Sequence, residues 1–311
     1  MNTDHNLPEI QLGQVNRLPL VRQVGFGYYL AGTIRGRRQE VLLPNGEVEG
    51  DVTHLALETP DGHPGDVVPV FLYLDQEERL TATMRLPLAQ VGSFAYLQVA
   101  WVNNFGAFLH WGLQKDLFVP FREQKQKMQK GHSYIVHVHL DPETYRIIAS
   151  AKVEKWLVNP LDRTAYDYSR RLRVGDQVKC LVWQKTQLGF KVIINDTHAG
   201  LLYDTQIFRQ LHTGDIVQAY ISKVREDGKI DLTLQKTGQG GVRDFSAILM
   251  QYISDHGGHA PFGDKTPAGQ IASEFGVSKK VFKKAVGDLY RQHLISIEPD
   301  GLYQVQPTPA V

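Results

Sequence analysis

Apolar and polar residues alternate along most of the first 235 positions, in short runs broken by glycine. A period of two predicts strands with one buried face. Residues 93–102, 106–111, 116–119, 133–140 and 145–150 form one set of five predicted strands. Residues 177–185, 189–194, 200–203, 216–224 and 229–234 form a second set in the same order. A polar run at 122–130 and a segment at 207–211 are predicted as short connecting helices after each third strand. Five strands with a helix after the third describe an OB-type barrel. Past residue 241 the spacing becomes helical. Phe245, Ile248, Leu249, Tyr252 and Ile253 make a stripe that stops at Gly257-Gly258. A second helix carries Ile271, Ala272 and Phe275, with Thr266 as its cap and Pro267 in its first turn, and a third follows Ser278. Strands at 294–297 and 302–305, turning at Pro299-Asp300-Gly301, end the pattern.

The glycines show that the strand sets are copies of one unit. Gly13 and Gly27, Gly92 and Gly106, and Gly175 and Gly189 share one spacing, and Gly131 and Gly214 extend it identically in the last two copies. Gly65 is their counterpart in the first copy, after an insertion around residues 51–64 that reads as an exposed loop. Gly106 and Gly189 fall where a strand must bend around a barrel corner, and Asp227-Gly228 is a strong hairpin signal. The expected fold is multidomain and mainly β: OB barrels over 8–86, 87–153 and 172–236, a connector near 154–171, the composition of a flexible linker at 237–241, and an α+β winged helix over 242–306. Weak sites on linked modules combine into avidity when their faces align.

A net charge of +1 says little until it is divided along the chain. Residues 1–90 carry 7 basic and 12 acidic side chains, 91–160 carry 8 and 5, 161–240 carry 12 and 9, and 241–311 carry 7 and 7. Positive charge therefore collects in the middle, where a polyanion would be held. The one cysteine, Cys180, rules out an internal disulfide framework and sits in an apolar run, as a small buried hydrophobe does. The start lacks a signal-peptide pattern and no apolar run is long enough to span a bilayer, so a cytoplasmic protein without membrane partners is expected.

The copies resemble the RNA-binding domain named after ribosomal protein S-one. Copy two carries Phe105-Gly106-Ala107-Phe108-Leu109, Asp116-Leu117-Phe118-Val119, Gly131-His132 and Arg146-Ile147-Ile148-Ala149-Ser150. Copy three carries Leu188-Gly189-Phe190-Lys191-Val192, Gly200-Leu201-Leu202-Tyr203, Gly214-Asp215 and Lys229-Ile230-Asp231-Leu232-Thr233. Copy one carries Phe26-Gly27-Tyr28-Tyr29-Leu30, Gly65-Asp66 and Arg79-Leu80-Thr81-Ala82-Thr83. Asp116 stands where the motif has glycine, Val119 replaces its histidine, and Leu188 and Lys191 replace both aromatics of copy three. Three such units before a winged helix resemble the conserved virulence factor B family. That resemblance implies a bacterial, cytoplasmic, RNA-binding post-transcriptional regulator of virulence rather than an enzyme.

Single-stranded nucleic acid is gripped by ring faces that stack bases and by cations that follow phosphates. The motif positions assign RNA binding to Phe26, Tyr29 and Arg79 in copy one, Phe105, Phe108 and Arg146 in copy two, and Lys191, Tyr203 and Lys229 in copy three. Trp101, Trp111, Trp156 and Trp183 are expected to pack internally. On the third helix of the winged domain Lys279, Lys280, Lys283 and Lys284 would contact phosphates, while no residue offers an obvious base-reading pair apart from Arg291 and Gln292 at its far end. DNA and a docked protein both remain open as that domain's partner, so a DNA-binding transcription regulator is the alternative to the RNA reading. His137, His139 and Asp141 are too few for a metal site and read as a satisfied or solvated pair. No phosphate-binding loop, nucleophile elbow or metalloprotease motif occurs, so neither a cofactor nor catalysis is expected.

Overall fold

The computed structural model describes residues 7–61, 63–160, 172–207, 210–235 and 239–305. They form two compact units, Met1–Trp156 and Leu157–Val311. In the first unit β1 (Val15–Val24), β2 (Gly27–Ile34), β3 (Arg37–Pro44), β4 (Val67–Leu74) and β5 (Leu80–Thr83) close into a barrel, in the order β1-β2-β3-β5-β4. A second barrel has the same order in β6 (Phe94–Val102), β7 (Gly106–Leu109), β8 (Leu117–Pro120), β9 (Ser133–Leu140) and β10 (Ile147–Ser150). The second unit repeats it in β11 (Gln177–Lys185), β12 (Gly189–Ile194), β13 (His198–Tyr203), β14 (Ile216–Val224) and β15 (Ile230–Thr233).

The repeat extends to single hydrogen bonds. Each barrel's first strand carries a β-bulge, beginning at Leu20, Val99 and Val182. There the Leu20 amide donates to the Asp66 carbonyl at 3.0 Å, Val99 to His132 at 2.9 Å and Val182 to Asp215 at 2.8 Å. Each acceptor directly follows the third glycine of its copy. At Gly27, Gly106 and Gly189 the need for glycine is steric. A Cβ would lie 2.3, 2.2 and 1.9 Å from the carbonyl oxygens of Leu43, Val119 and Leu202 on the neighbouring strand. Close backbone approach, rather than a corner bend alone, fixes these positions.

The connecting helix predicted at 122–130 is absent, and the one predicted at 207–211 includes residues 208 and 209, which lie outside the described residues. A single 3-10 turn at Phe121–Glu123 takes the place of the first, and a matching 3-10 turn, Asp204–Gln206, precedes the second segment. In the second barrel the Gln124 side chain donates to the Val119 carbonyl and accepts from the Met128 amide, and Met128 is buried. That apolar anchor holds the lysine-rich run against the barrel as an extended loop. Residues 161–171 of the expected connector also lie outside the described residues.

The first barrel has its own core around Leu18, Leu30, Val41 and Leu72, and its β4 also reaches into the core of the second barrel. Phe71 and Tyr73 of β4 join Leu97, Val99, Leu109, Trp111 and Leu117 of the second barrel, with the Phe71 and Trp111 rings edge-on at 5.6 Å. The third barrel has its own core around Cys180, Val192, Leu202 and Ile221. Burial pushes the Cys180 thiol up to about 12, so it is an inert packing group.

The winged domain comprises α1 (Gln239–Asp255), β16 (His259–Ala260), α2 (Ala268–Phe275), α3 (Lys279–Arg291), β17 (Ile295–Glu298) and β18 (Gly301–Gln304). Its sheet runs β16-β18-β17, so a short strand that the periodicity did not reveal pairs with the hairpin. Ser278 caps α3 by accepting from the Val281 amide. Thr266 does not cap α2: Pro267 holds the cap position, and the Thr266 hydroxyl accepts from Gly263 instead. Helix α1 already includes Gln239, Gly240 and Gly241 of the expected linker, while Thr237 and Gly238 lie outside the described residues.

Candidate nucleic-acid interface

The β-bulge shifts register so that the residue two past Leu20, Val99 and Val182 faces outward. It then pairs across to the motif position on the second strand. The three pairs are Arg22 with Tyr29, Trp101 with Phe108 and Gln184 with Lys191. One location thus carries a cation on a ring, a ring on a ring, and a polar side chain beside a cation.

In the first barrel the Arg22 guanidinium lies 3.7 Å from the Tyr29 ring centre, and Glu40 holds it there at 3.0 Å. Tyr29 is half-buried beneath it, while Phe26 at the adjoining turn is 61% exposed. Arg79 is exposed but is held by Asp75 and Glu77, each at 2.8 Å.

The second barrel is the most aromatic. Trp101 and Phe108 stack face to face, 3.7 Å apart and 4° from parallel, and Phe118 backs Phe108 at 4.8 Å. Phe108 is therefore enclosed between two rings, and the outer face belongs to Trp101, which is 43% exposed. This corrects the expectation that Trp101 packs internally. The indole is pinned: its Nε1–H donates to Asp116 at 2.9 Å, and the other oxygen of that carboxylate lies 3.0 Å from His110 Nδ1. Asp116, a departure from the glycine of the motif, is the group that orients the ring. Beside the stack Phe105 is 73% exposed and Phe121 stands at the next turn, with the Phe121 amide donating to the Phe105 carbonyl. Arg146 is ion-paired with Glu78 of the first barrel.

The third barrel presents cations over rings. Lys185 lies 4.3 Å from the Phe190 ring centre and Lys191 lies 5.4 Å from that of Trp183. Trp183 is half-buried at the surface rather than in the core. The Tyr203 hydroxyl accepts from Arg225, which is held by Asp231 at 2.7 Å, and Lys229 is paired with Asp227 at 2.8 Å. Leu188, at the position of Phe26 and Phe105, is 62% exposed. All three cations at the motif's basic position, Arg79, Arg146 and Lys229, have acidic partners.

On α3 Lys280, Lys283 and Lys284 are exposed and Lys279 is half-buried. Lys283 pairs with Asp264, whose carboxyl is held below its usual range first by that lysine. Arg291 is turned back onto Asp288 and the Gly287 carbonyl, which leaves it poorly placed as a reader of base edges.

His137 and His139 are buried, so they are not a solvated pair. Both Nδ1 atoms lack a hydrogen-bond partner, as do Trp156 Nε1 and Glu123 Oε2 close by. Trp156 lies over both imidazoles, at 4.3 and 4.2 Å. Among the described residues no three His, Cys, Asp or Glu side chains group as metal ligands do.

Residues 12–85 match the S1 domain family and residues 247–303 the CvfB-like winged helix domain. The chain is 25% identical over 299 residues to the uncharacterized protein YitL of Bacillus subtilis, covering 94% of this chain and 93% of that one. It is 22% identical over 294 residues to conserved virulence factor B of Staphylococcus epidermidis, covering 92% of each. A solved structure from Streptococcus pneumoniae, described as a multidomain protein with nucleic acid binding domains, aligns over 94% of this chain and 98% of its own, with 20% identity and a TM-score of 0.37. Both matched domains are of nucleic-acid-binding type, and no described helix is long and apolar enough to cross a membrane. An S1 domain match at one end, a CvfB-like winged helix match at the other and 22% identity along nearly the whole length make the chain similar to the conserved virulence factor B proteins.

Proposed function

We propose that the chain binds single-stranded RNA through its barrels and acts as a non-enzymatic post-transcriptional regulator in the cytoplasm. The observation that carries this reading is the pinned Trp101–Phe108–Phe118 stack with Phe105 exposed beside it. A ring held flat with one free face costs little further ordering when a base lies on it, and stacking is indifferent to strand sequence. A side chain that reads duplex DNA must instead reach base edges in a groove. Phe26 with the Arg22–Tyr29 pair would offer a smaller platform on the first barrel. Lys191, Tyr203 and Lys229 would give the third barrel a mainly electrostatic face.

Trp101→Ala is expected to weaken binding of a labelled oligouridylate by roughly 5- to 150-fold, the value of one stacked base. The far-ultraviolet spectrum should not change. A folded variant with undiminished RNA binding would refute the assignment. Competition between single-stranded RNA and duplex DNA of equal length tests the alternative. If the duplex wins, and that preference is lost on changing Lys280 and Lys284 to Gln, the winged helix is the main site.

A further inference from the structure

Where the aromatic wall of the second barrel meets the first barrel, the two enclose a cleft of about 520 Å³. One side is Trp101, Phe108 and Phe118; the other is the hairpin between β4 and β5, with Leu74, Gln76 and Glu78. The hairpin is rigid. Asp75 accepts from the amides of Glu77 and Arg79 and from the Arg79 side chain. Lys115 of the second barrel donates to the Leu74 and Asp75 carbonyls at 3.0 and 2.8 Å. Glu78 occupies the left-handed region at φ 63°, uncommon for a residue with a side chain, and its carboxylate lies on Arg146 at the rim of the cleft.

We infer that this cleft is a composite site for one unstacked nucleotide of a single strand, and that Glu78 stands on Arg146 where the nucleotide's phosphate belongs. The inference rests on the stacking role given to Trp101. The base lies against the Trp101 wall, and the phosphate at the rim needs a guanidinium, which binds carboxylate and phosphate in the same forked geometry. Binding then exchanges one anion for another on Arg146. The first barrel contributes its acidic hairpin to its neighbour's site, and the swap weakens binding to every strand that lacks a well-seated nucleotide.

The test measures oligouridylate and oligoadenylate binding to the full chain over a salt series. Glu78→Gln frees Arg146, and affinity is expected to rise roughly two- to five-fold, the strength of one exposed ion pair. The salt slope should steepen by about 0.7, one added phosphate contact on a single strand. Glu78→Gly should do the same while tolerating the backbone conformation. Adding Arg146→Gln should cancel both changes, and Asp61→Asn, which removes one exposed charge from the β3–β4 loop, should produce neither. If both Glu78 variants leave affinity and slope unchanged while Trp101→Ala still weakens binding, the phosphate exchange is wrong and the stacking platform stands. If Trp101→Ala is also silent, both fail.

Discussion

Acid should selectively loosen the first unit through His137. The imidazole is packed between Phe94 at 4.7 Å and Trp156 at 4.3 Å, with His139 next to it at 6.0 Å. Burial first, and then the like charge of His139, lower its pKa from 6.5 to about 4. The unfolded chain therefore takes up this proton at a higher pH than the folded one does, so folding loses stability as pH falls from above 6.5 towards 4. A shift of this size amounts to about 3 kcal/mol when fully developed, of which about 2 kcal/mol is lost between pH 7 and pH 5. His139, also lowered by burial, adds to the loss in the same direction. Denaturant unfolding of the full chain at several pH values, followed by tryptophan fluorescence, should show a transition that weakens below pH 6.5. His137→Phe keeps the ring contacts and removes the titration, so its pH dependence should be shallower. An NMR titration that finds the His137 ring protonating near its ordinary value would refute the reasoning, whatever the unfolding curves show.

Two further outcomes follow from the fold. Gly189→Ala places a methyl 1.9 Å from the Leu202 carbonyl at φ 149°, and should destabilise the third barrel by on the order of 1–3 kcal/mol, read as an early thermal transition. Ser278→Ala removes the cap of α3 and should cost the winged domain about 1 kcal/mol, seen as faster amide exchange in the first turn of α3.

The repeat was legible because glycine is required at its marked positions for two physical reasons. Gly13, Gly92, Gly175, Gly131 and Gly214 lie at positive φ, and Gly27, Gly106 and Gly189 have no room for a Cβ. The strands were legible because one face of each is buried. The connecting helix at 122–130 failed because polar composition carries no period: the run at 124–130 is fixed by one Gln124 side chain and buried Met128, neither of which periodicity detects. Trp101 was misplaced for a related reason. Strict alternation carries Val99 and Trp101 to one face, and only the bulge between them turns the indole outward onto Phe108. The internal partners of Arg79 and Lys229 lie four and two residues away, so the signal was present in Asp75 and Asp227. The partner of Arg146 comes from another barrel and had no local signal at all.

Tandem copies invite a picture of beads on a string, in which weak sites gain by being linked. The first unit argues for a different arrangement. Gly13 lies at a seam where a Cβ would fall 2.3 Å from Val91 and 3.3 Å from Ile147, and its amide donates to Leu72 while its carbonyl accepts from Val91, each at 2.8 Å. The Val15 amide donates to Gln90 Oε1 and the Gln14 side-chain amide to the Val91 carbonyl. With Phe71 and Tyr73 of the first barrel buried in the core of the second, the two barrels cannot reorient without exposing large apolar surface. A ligand that spans them meets two faces already set at fixed separation and loses no linker entropy on binding. The distinction is measurable. Flexible beads give an affinity that grows smoothly with strand length, whereas a rigid pair gives a step at the length that first reaches both the Phe26 and Trp101 faces. A Gly13→Val variant, which crowds that seam, should flatten the step even where each barrel still melts cooperatively. A sharp step retained in that variant would mean that the seam does not set the spacing.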